Sequence, residues 1–294
     1  MTRNSILIAV ALLVVHAISS PPLEKYPIKL DVPEKVGDTY HVETTVTEST
    51  TSNVTVAGQF AQKTEESAKV ELSADVVIEA AANNWATRKR FTVLSSTITK
   101  GTSTRALVPE RTVLVASIVD GRTVYEIDGK PVDEQTATAF RSVISLHTVS
   151  VADDGLFGTT SPRAVGESWP ISTDAIKGLI KEMGVTAEPR LVNGSGRLEK
   201  VENNHIVVSG KMQVQDVLLV IAPQIPPGNG EIRVEYLGRI PVSQSDLSRA
   251  VEGTIYMLRV GTGANENGQQ VRAEVIYENK SKYEIRPVAR MSTQ

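Results

Sequence analysis

The chain contains no cysteine. No disulfide can staple it, no thiol can act as a nucleophile, and no cysteine can carry a lipid at the end of a leader. Histidine is scarce as well. His41, His147 and His205 are scattered beyond the leader, with no partner at metal-ligand spacing, so no zinc or other metal site is expected. Aromatic residues make up 4% of the chain and the net charge is −3 with mixed signs. That leaves neither a stacking platform nor a basic field for nucleic acid. No Gly-x-Ser-x-Gly elbow occurs, and nothing else in the sequence assembles a catalytic centre or a cofactor site. Long apolar runs are missing too: the longest, residues 6–15, is about half of the roughly 20 residues a membrane span needs.

What that run does fit is the core of a signal peptide, with Arg3 before it and the small residues Ala17 and Ser19 at −3 and −1 of a cut ahead of Ser20. Residues 1–19 are therefore read as a signal peptide. The mature chain is expected in the periplasm or secreted, with no membrane span once the leader is removed. A chain of this length can bury roughly 70% of its unfolded surface, enough to be stable without covalent staples.

Period-two alternation dominates the rest. Tyr40, Val42, Thr44 and Val46 alternate with polar residues, and Val70, Leu72, Ala74, Val76 and Ile78 do so more clearly, as half-buried strands require. Asn83-Asn84, Asp120-Gly121 and Asn203-Asn204 mark tight hairpin turns. Residues 49–58, rich in Thr and Ser, read as a loop or weak strand. Residues 223–230 read as a Pro/Gly-rich surface loop, and Gly261-Thr262-Gly263 as a break between strands with no helix to hold phosphate. Asp153-Asp154-Gly155 reads as a solvated turn rather than a calcium loop, because the further spaced ligands are missing.

Two helices are predicted. Asp133 caps the first, over residues 133–146, with Ala137, Phe140 and Ile144 on one face. Ser172 or Thr173 caps the second, over residues 173–183, with Ile176, Leu179, Ile180 and Met183 at i, i+3, i+4 and i+7. The fold class is mainly β (α+β): an antiparallel curved sheet or partly open barrel with two or three short helices. Residues 20–160 and 161–294 form two sheet-rich halves, or one continuous domain.

One string occurs twice: Val36-Gly37-Asp38-Thr39-Tyr40 and Val165-Gly166-Glu167-Ser168-Trp169. Gly37 and Gly166 read as turn residues and Tyr40 and Trp169 as buried anchors, so the string opens each half. An export signal, this doubled string and long antiparallel hairpins resemble an uncharacterised family of exported bacterial sheet-rich proteins, a resemblance that implies no activity. More distantly, the pattern is similar to the periplasmic lipoprotein-carrier architecture, in which a curved open sheet shelters a hydrophobic cavity. The sheet has one apolar face that the two predicted helices cover only in part, so a non-catalytic binding protein for a hydrophobic small molecule or lipid is expected. Phe140, Ile144, Ile176, Leu179, Ile180 and Met183 are the expected cavity lining. The alternatives are a structural module that meets an envelope protein and, behind it, a hydrolase.

Overall fold

The computed structural model describes residues 23–144, 146, 153–182, 191–219, 228–264 and 267–288. Its first strand is β1 (Lys25–Ile28), followed by the long hairpin β2 (Thr39–Val56) and β3 (Gln59–Ala82) and by β4 (Trp85–Lys100). Residues 49–56, expected as loop or weak strand, belong to β2. Threonine is β-branched and suits a pleated surface, and β2 has ladder partners on both sides along this stretch, Thr50 lying opposite both Glu66 and Tyr277. The chain continues through β5 (Ser103–Ala106), β6 (Val113–Val119), β7 (Arg122–Ile127) and β8 (Lys130–Pro131). Asp120 and Gly121 both take positive φ in the turn between β6 and β7, the backbone that a two-residue primed turn demands.

Helix α1 (Glu134–Val143) starts where Asp133 accepts a hydrogen bond from the Thr136 N–H at 3.0 Å. It stops three residues before the expected end, because Ile144 is extended and its carbonyl accepts the Tyr125 hydroxyl of β7. Next come α2 (Asp153–Phe157), β9 (Thr159–Ala164), β10 (Ser168–Pro170) and α3 (Thr173–Glu182). Ser172, rather than Thr173, caps α3. The final meander is β11 (Leu191–Glu202), β12 (His205–Leu219), β13 (Gly228–Pro241), β14 (Arg249–Ala264) and β15 (Gln270–Pro287). Gly261-Thr262-Gly263 lies inside β14, paired with Ala273, Arg272 and Val271 of β15, and so breaks no strand.

Nearly all of this is one antiparallel sheet in the order β10-β11-β12-β13-β14-β15-β2-β3-β4-β6-β7-β8, with β5 paired to β4 and β1 and β9 forming a separate ribbon. The sheet is curved and does not close into a barrel. Its two halves join where the last strand, β15, pairs with the first long one, β2. Each half carries its own core. Tyr40, Val42, Leu72, Phe91, Leu114 and Phe140 lie in the first, and Trp169, Phe157, Ile176, Ile180, Val214 and Ile232 in the second. The lead-in before β2 stitches them: Leu30 and Val32 are buried in the second core, while the carboxylate of Glu34 reaches β4 of the first.

The two copies of the doubled string fold alike. Gly37 and Gly166 take φ of +89° and +87°, a region that glycine enters without steric cost. Gly37 N–H donates to Ile78 O and Ile78 N–H to Asp38 O; in the second copy Gly166 N–H donates to Leu198 O and Leu198 N–H to Glu167 O. The acid three residues after the start of each turn folds back on the backbone, Asp38 accepting from Lys35 N–H at 2.8 Å and Glu167 from Ala164 N–H at 3.0 Å. Tyr40 and Trp169 are both buried.

Candidate ligand cavity

Where α1 ends, the inner face of the sheet is left partly uncovered, and a cavity of about 240 Å³ opens there. Val42, Val46, Phe91, Val143, Ile144 and Val251 give it apolar walls. Alternation on β2 sends Tyr40, Val42, Thr44 and Val46 to this face, and the Tyr125 hydroxyl bond to Ile144 O sets the end of α1 over it.

The opposite side of the cavity is charged. Glu34 is 3% exposed and Lys89 6%, and the Glu34 carboxylate accepts from Lys89 Nζ at 2.7 Å and from the Ala86 N–H at 3.0 Å. Burial alone would push the Glu34 carboxyl up, but Lys89 and Arg249 outweigh it and hold it below the usual range. Arg249 Nη2 stands 3.9 Å from Glu34 Oε1, and its guanidinium lies 5.7 Å from the centre of the Tyr283 ring. Burial works against this charge, yet Tyr283, Glu34 and Tyr40 keep it firmly protonated.

Two acids complete the rim. Asp31 is pushed up to about 7, first by burial and then by Asp154 and Asp153. Asp153 reaches water at the mouth, although the surrounding protein still holds its carboxyl above the usual range, with Arg249 opposing and Asp154 adding to the rise. The Asp153-Asp154-Gly155 stretch is thus the start of α2 and not a solvated turn. Asp154 accepts from the Leu30 N–H, and Asp31 accepts from the Asp154 N–H at 3.3 Å, so the acids tie α2 to the lead-in. Among the described residues no group of three or more His, Asp or Glu side chains is placed to hold a metal ion.

Of the residues expected from sequence to line a cavity, Ile144 does so. Phe140 is fully buried in the first core, Ile176 and Ile180 are buried in the second, and Leu179 packs against the second; none of these four borders the cavity. Met183 lies outside the described residues. Helical periodicity finds a buried stripe but does not say whether the stripe meets packed sheet or open space. The charged wall is not legible from spacing, because Glu34, Lys89 and Arg249 are far apart in sequence. A charged residue inside an alternating strand, such as Lys89 facing the same side as Phe91, is the one signal the sequence offers.

A second constellation sits on the outer face of β2 and β3. His41 Nδ1 is 3.0 Å from Asp75 Oδ1, and its Nε2 is 3.4 Å from Ser73 Oγ and 3.6 Å from Glu43. These are the residue types of a hydrolytic triad, brought together by cross-strand register. Acyl transfer also needs N–H donors aimed at the developing oxyanion, and in this face the strand N–H groups serve the ladder. His205 bonds Ser248 Oγ at 3.0 Å and Asn203 O at 2.8 Å, and the Asp246 carboxylate accepts from the Ser248 N–H at 2.8 Å.

No family model matches the chain, and no characterised protein matches its sequence. Among the described residues no helix is long and apolar enough to cross a membrane. Of the solved structures it is similar to, a lipovitellin structure concerned with lipid–protein interactions is 10% identical with a TM-score of 0.35, over 88% of this chain and 26% of that one. The chain thus spans about a quarter of the lipovitellin chain. OpdQ of Pseudomonas aeruginosa is 8% identical with a TM-score of 0.18, over 85% of this chain and 98% of that one. The T2SS secretin XcpQ of the same organism is 8% identical with a TM-score of 0.17, over 90% and 61% respectively.

Proposed function

We propose that the chain is an exported, non-catalytic carrier that holds one small apolar ligand in the cavity between the sheet and the end of α1. The observation that carries this reading is the cavity of about 240 Å³ with its apolar wall. The cavity opens to water, so its apolar walls are wetted when it holds no ligand, and an apolar ligand that covers them gains about 25 cal/mol for each Å² of apolar surface removed from water. The volume exceeds the roughly 150 Å³ that admits benzene and falls short of the roughly 300 Å³ of drug-sized sites. It therefore suits a single short tail or ring.

The neutral dye N-phenyl-1-naphthylamine tests the reading. It should bind saturably at one per chain, and Val46→Phe, which fills the space, should weaken binding at least ten-fold without changing the far-ultraviolet circular dichroism. Absence of saturable binding, or equal binding by Val46→Phe, would overturn it. Labelling of Ser73 by a fluorophosphonate would move the reading to a hydrolase at the His41 constellation. A second reading, a protein-interaction arm, is favoured by the outer part of β3, residues 59–67, which is exposed on both faces. A photo-crosslinker at Phe60 that captures no envelope protein in intact cells would dispose of it.

A further inference from the structure

Among the described residues, the wall of the cavity holds a fully buried polar atom without a partner. Thr44 is 7% exposed, lines the cavity, and its Oγ1 makes no hydrogen bond. A buried hydroxyl left unpaired costs about 1 to 3 kcal/mol. Its neighbours on the same face of β2 are Val42 and Val46, so nothing about the strand requires a hydroxyl there; valine would have nearly the same shape. Across the ladder Thr44 is paired with Tyr283, over whose ring the Arg249 guanidinium lies. Hydroxyl, phenol and guanidinium thus occupy one patch of wall, between the apolar side chains and the charged side.

The charges around that patch are unevenly committed. Glu34 is engaged by Lys89 and by a backbone N–H. Asp31 turns to the backbone of α2, and Asp153 reaches water at the mouth. Arg249 bonds Tyr283 and faces Tyr40, with Glu34 at 3.9 Å, beyond hydrogen-bond range, and the carboxyls of Asp31 and Asp153 also within its field. A guanidinium carries five N–H donors in a fork that matches a carboxylate.

Resting on the carrier reading, we infer that the ligand is a single-tailed amphiphile with an anionic head, a carboxylate placed at Arg249 and Thr44 with its tail along Val42, Val46, Phe91, Val143 and Ile144. Thr44 donates to the head, which removes the unpaired hydroxyl, and the guanidinium, which Glu34 does not reach within hydrogen-bond range, holds the head beside it. Each methylene of tail drawn from water into this wall tightens binding about four-fold.

Three probes of equal tail separate the head from the cavity: decanoate, decanol and decylamine, titrated calorimetrically into the full chain. Decanoate should bind at least ten-fold tighter than decanol, with decylamine weakest. Thr44→Val should weaken decanoate about ten-fold, as loss of a hydrogen bond to a charged group does, while its thermal midpoint stays level or rises. Arg249→Gln should abolish the preference for decanoate over decanol; should that variant fail to fold, Thr44→Val decides. If decanol or decylamine binds as tightly as decanoate, or Thr44→Val changes decanoate binding less than two-fold, the anionic head is refuted and the carrier stands. If none of the three binds, both fall.

Discussion

The chain makes the same turn at Gly37 and at Gly166, with the same two backbone hydrogen bonds to the neighbouring strand and the same carboxylate folded back on the turn. Beyond the turn the two halves part. Tyr40 leads into the long strand β2 and its ring ends in the wall of a cavity. Trp169 leads into the short strand β10, lays its ring over Gly196 and donates its indole N–H to Phe157 O at 3.1 Å. Phe157 in turn lies against Gly210 and stacks on Tyr236 at 4.9 Å. The second half is closed by aromatic rings seated on glycines. In the first half α1 ends at Val143, and the rings of Tyr40 and Phe91 line an open cavity. A shared joint therefore sets where a strand begins, and the residues it delivers decide whether the half is packed or hollow.

The comparison breaks most sharply at Trp169. Trp169→Ala removes the lid of the second core and its hydrogen bond, and should cost about 3 to 5 kcal/mol in urea unfolding, as large-to-small core changes do. A cost under about 1 kcal/mol would mean that the ring is not what closes this half.

Much of this contrast is legible in the sequence, and the part that is not has a physical cause. Alternation at residues 40–46 and 70–78 reports a strand with one wet face, and paired residues tolerant of positive φ report the hairpins at 83–84, 120–121 and 203–204. These signals are local, so a local reading finds them. The same signal at Asp128-Gly129, also at positive φ, is easily taken for a strand end, and it closes the β7–β8 hairpin. The cavity is different. It exists because β2, β4, β14, α1 and the lead-in meet, and register across β15 and β2 places Thr44 beside Tyr283. Nothing in the spacing of Thr44, Lys89 and Arg249 announces that meeting. The helix stripes mislead for a related reason: Ile176 and Ile180 are as apolar as Ile144, but they face a sheet already filled by Trp169 and Met212.

The seam between the halves gives the next effect. Asp31, on the lead-in, has its carboxyl raised to about 7 by burial and by Asp154 and Asp153, whereas in the unfolded chain it titrates near 4. Between those values the folded protein holds a proton that the unfolded chain has released. Stability from this group is complete below about pH 4 and is lost as pH rises through about 7. Asp31→Asn keeps an acceptor for the Asp154 N–H and removes the titration. It should stabilise the protein by about 2 to 4 kcal/mol at pH 8, with little change at pH 4. Urea curves for the two proteins that stay parallel from pH 4 to 8 would show that α2 and the lead-in are not coupled through this acid.

The smallest effect is the most direct measure of packed against hollow. A Cβ at Gly196 would stand 2.5 Å from Cε2 and Nε1 of Trp169, and the indole cannot retreat without losing its bond to Phe157 O. Gly196→Ala should therefore cost about 1 to 3 kcal/mol, the usual range for overpacking. At Gly253, on β14 opposite the cavity-lining Ser281, the nearest atom to a new Cβ is Ser281 Oγ at 3.0 Å, a hydroxyl that can swing aside. Gly253→Ala should be neutral or stabilising by up to about 1 kcal/mol, because alanine restricts the unfolded chain. The quantity to measure is the difference between the two substitutions in one denaturant series. If they cost the same, the glycine seats under Trp169 and Phe157 are not what separates the filled part of this sheet from the part beside the cavity.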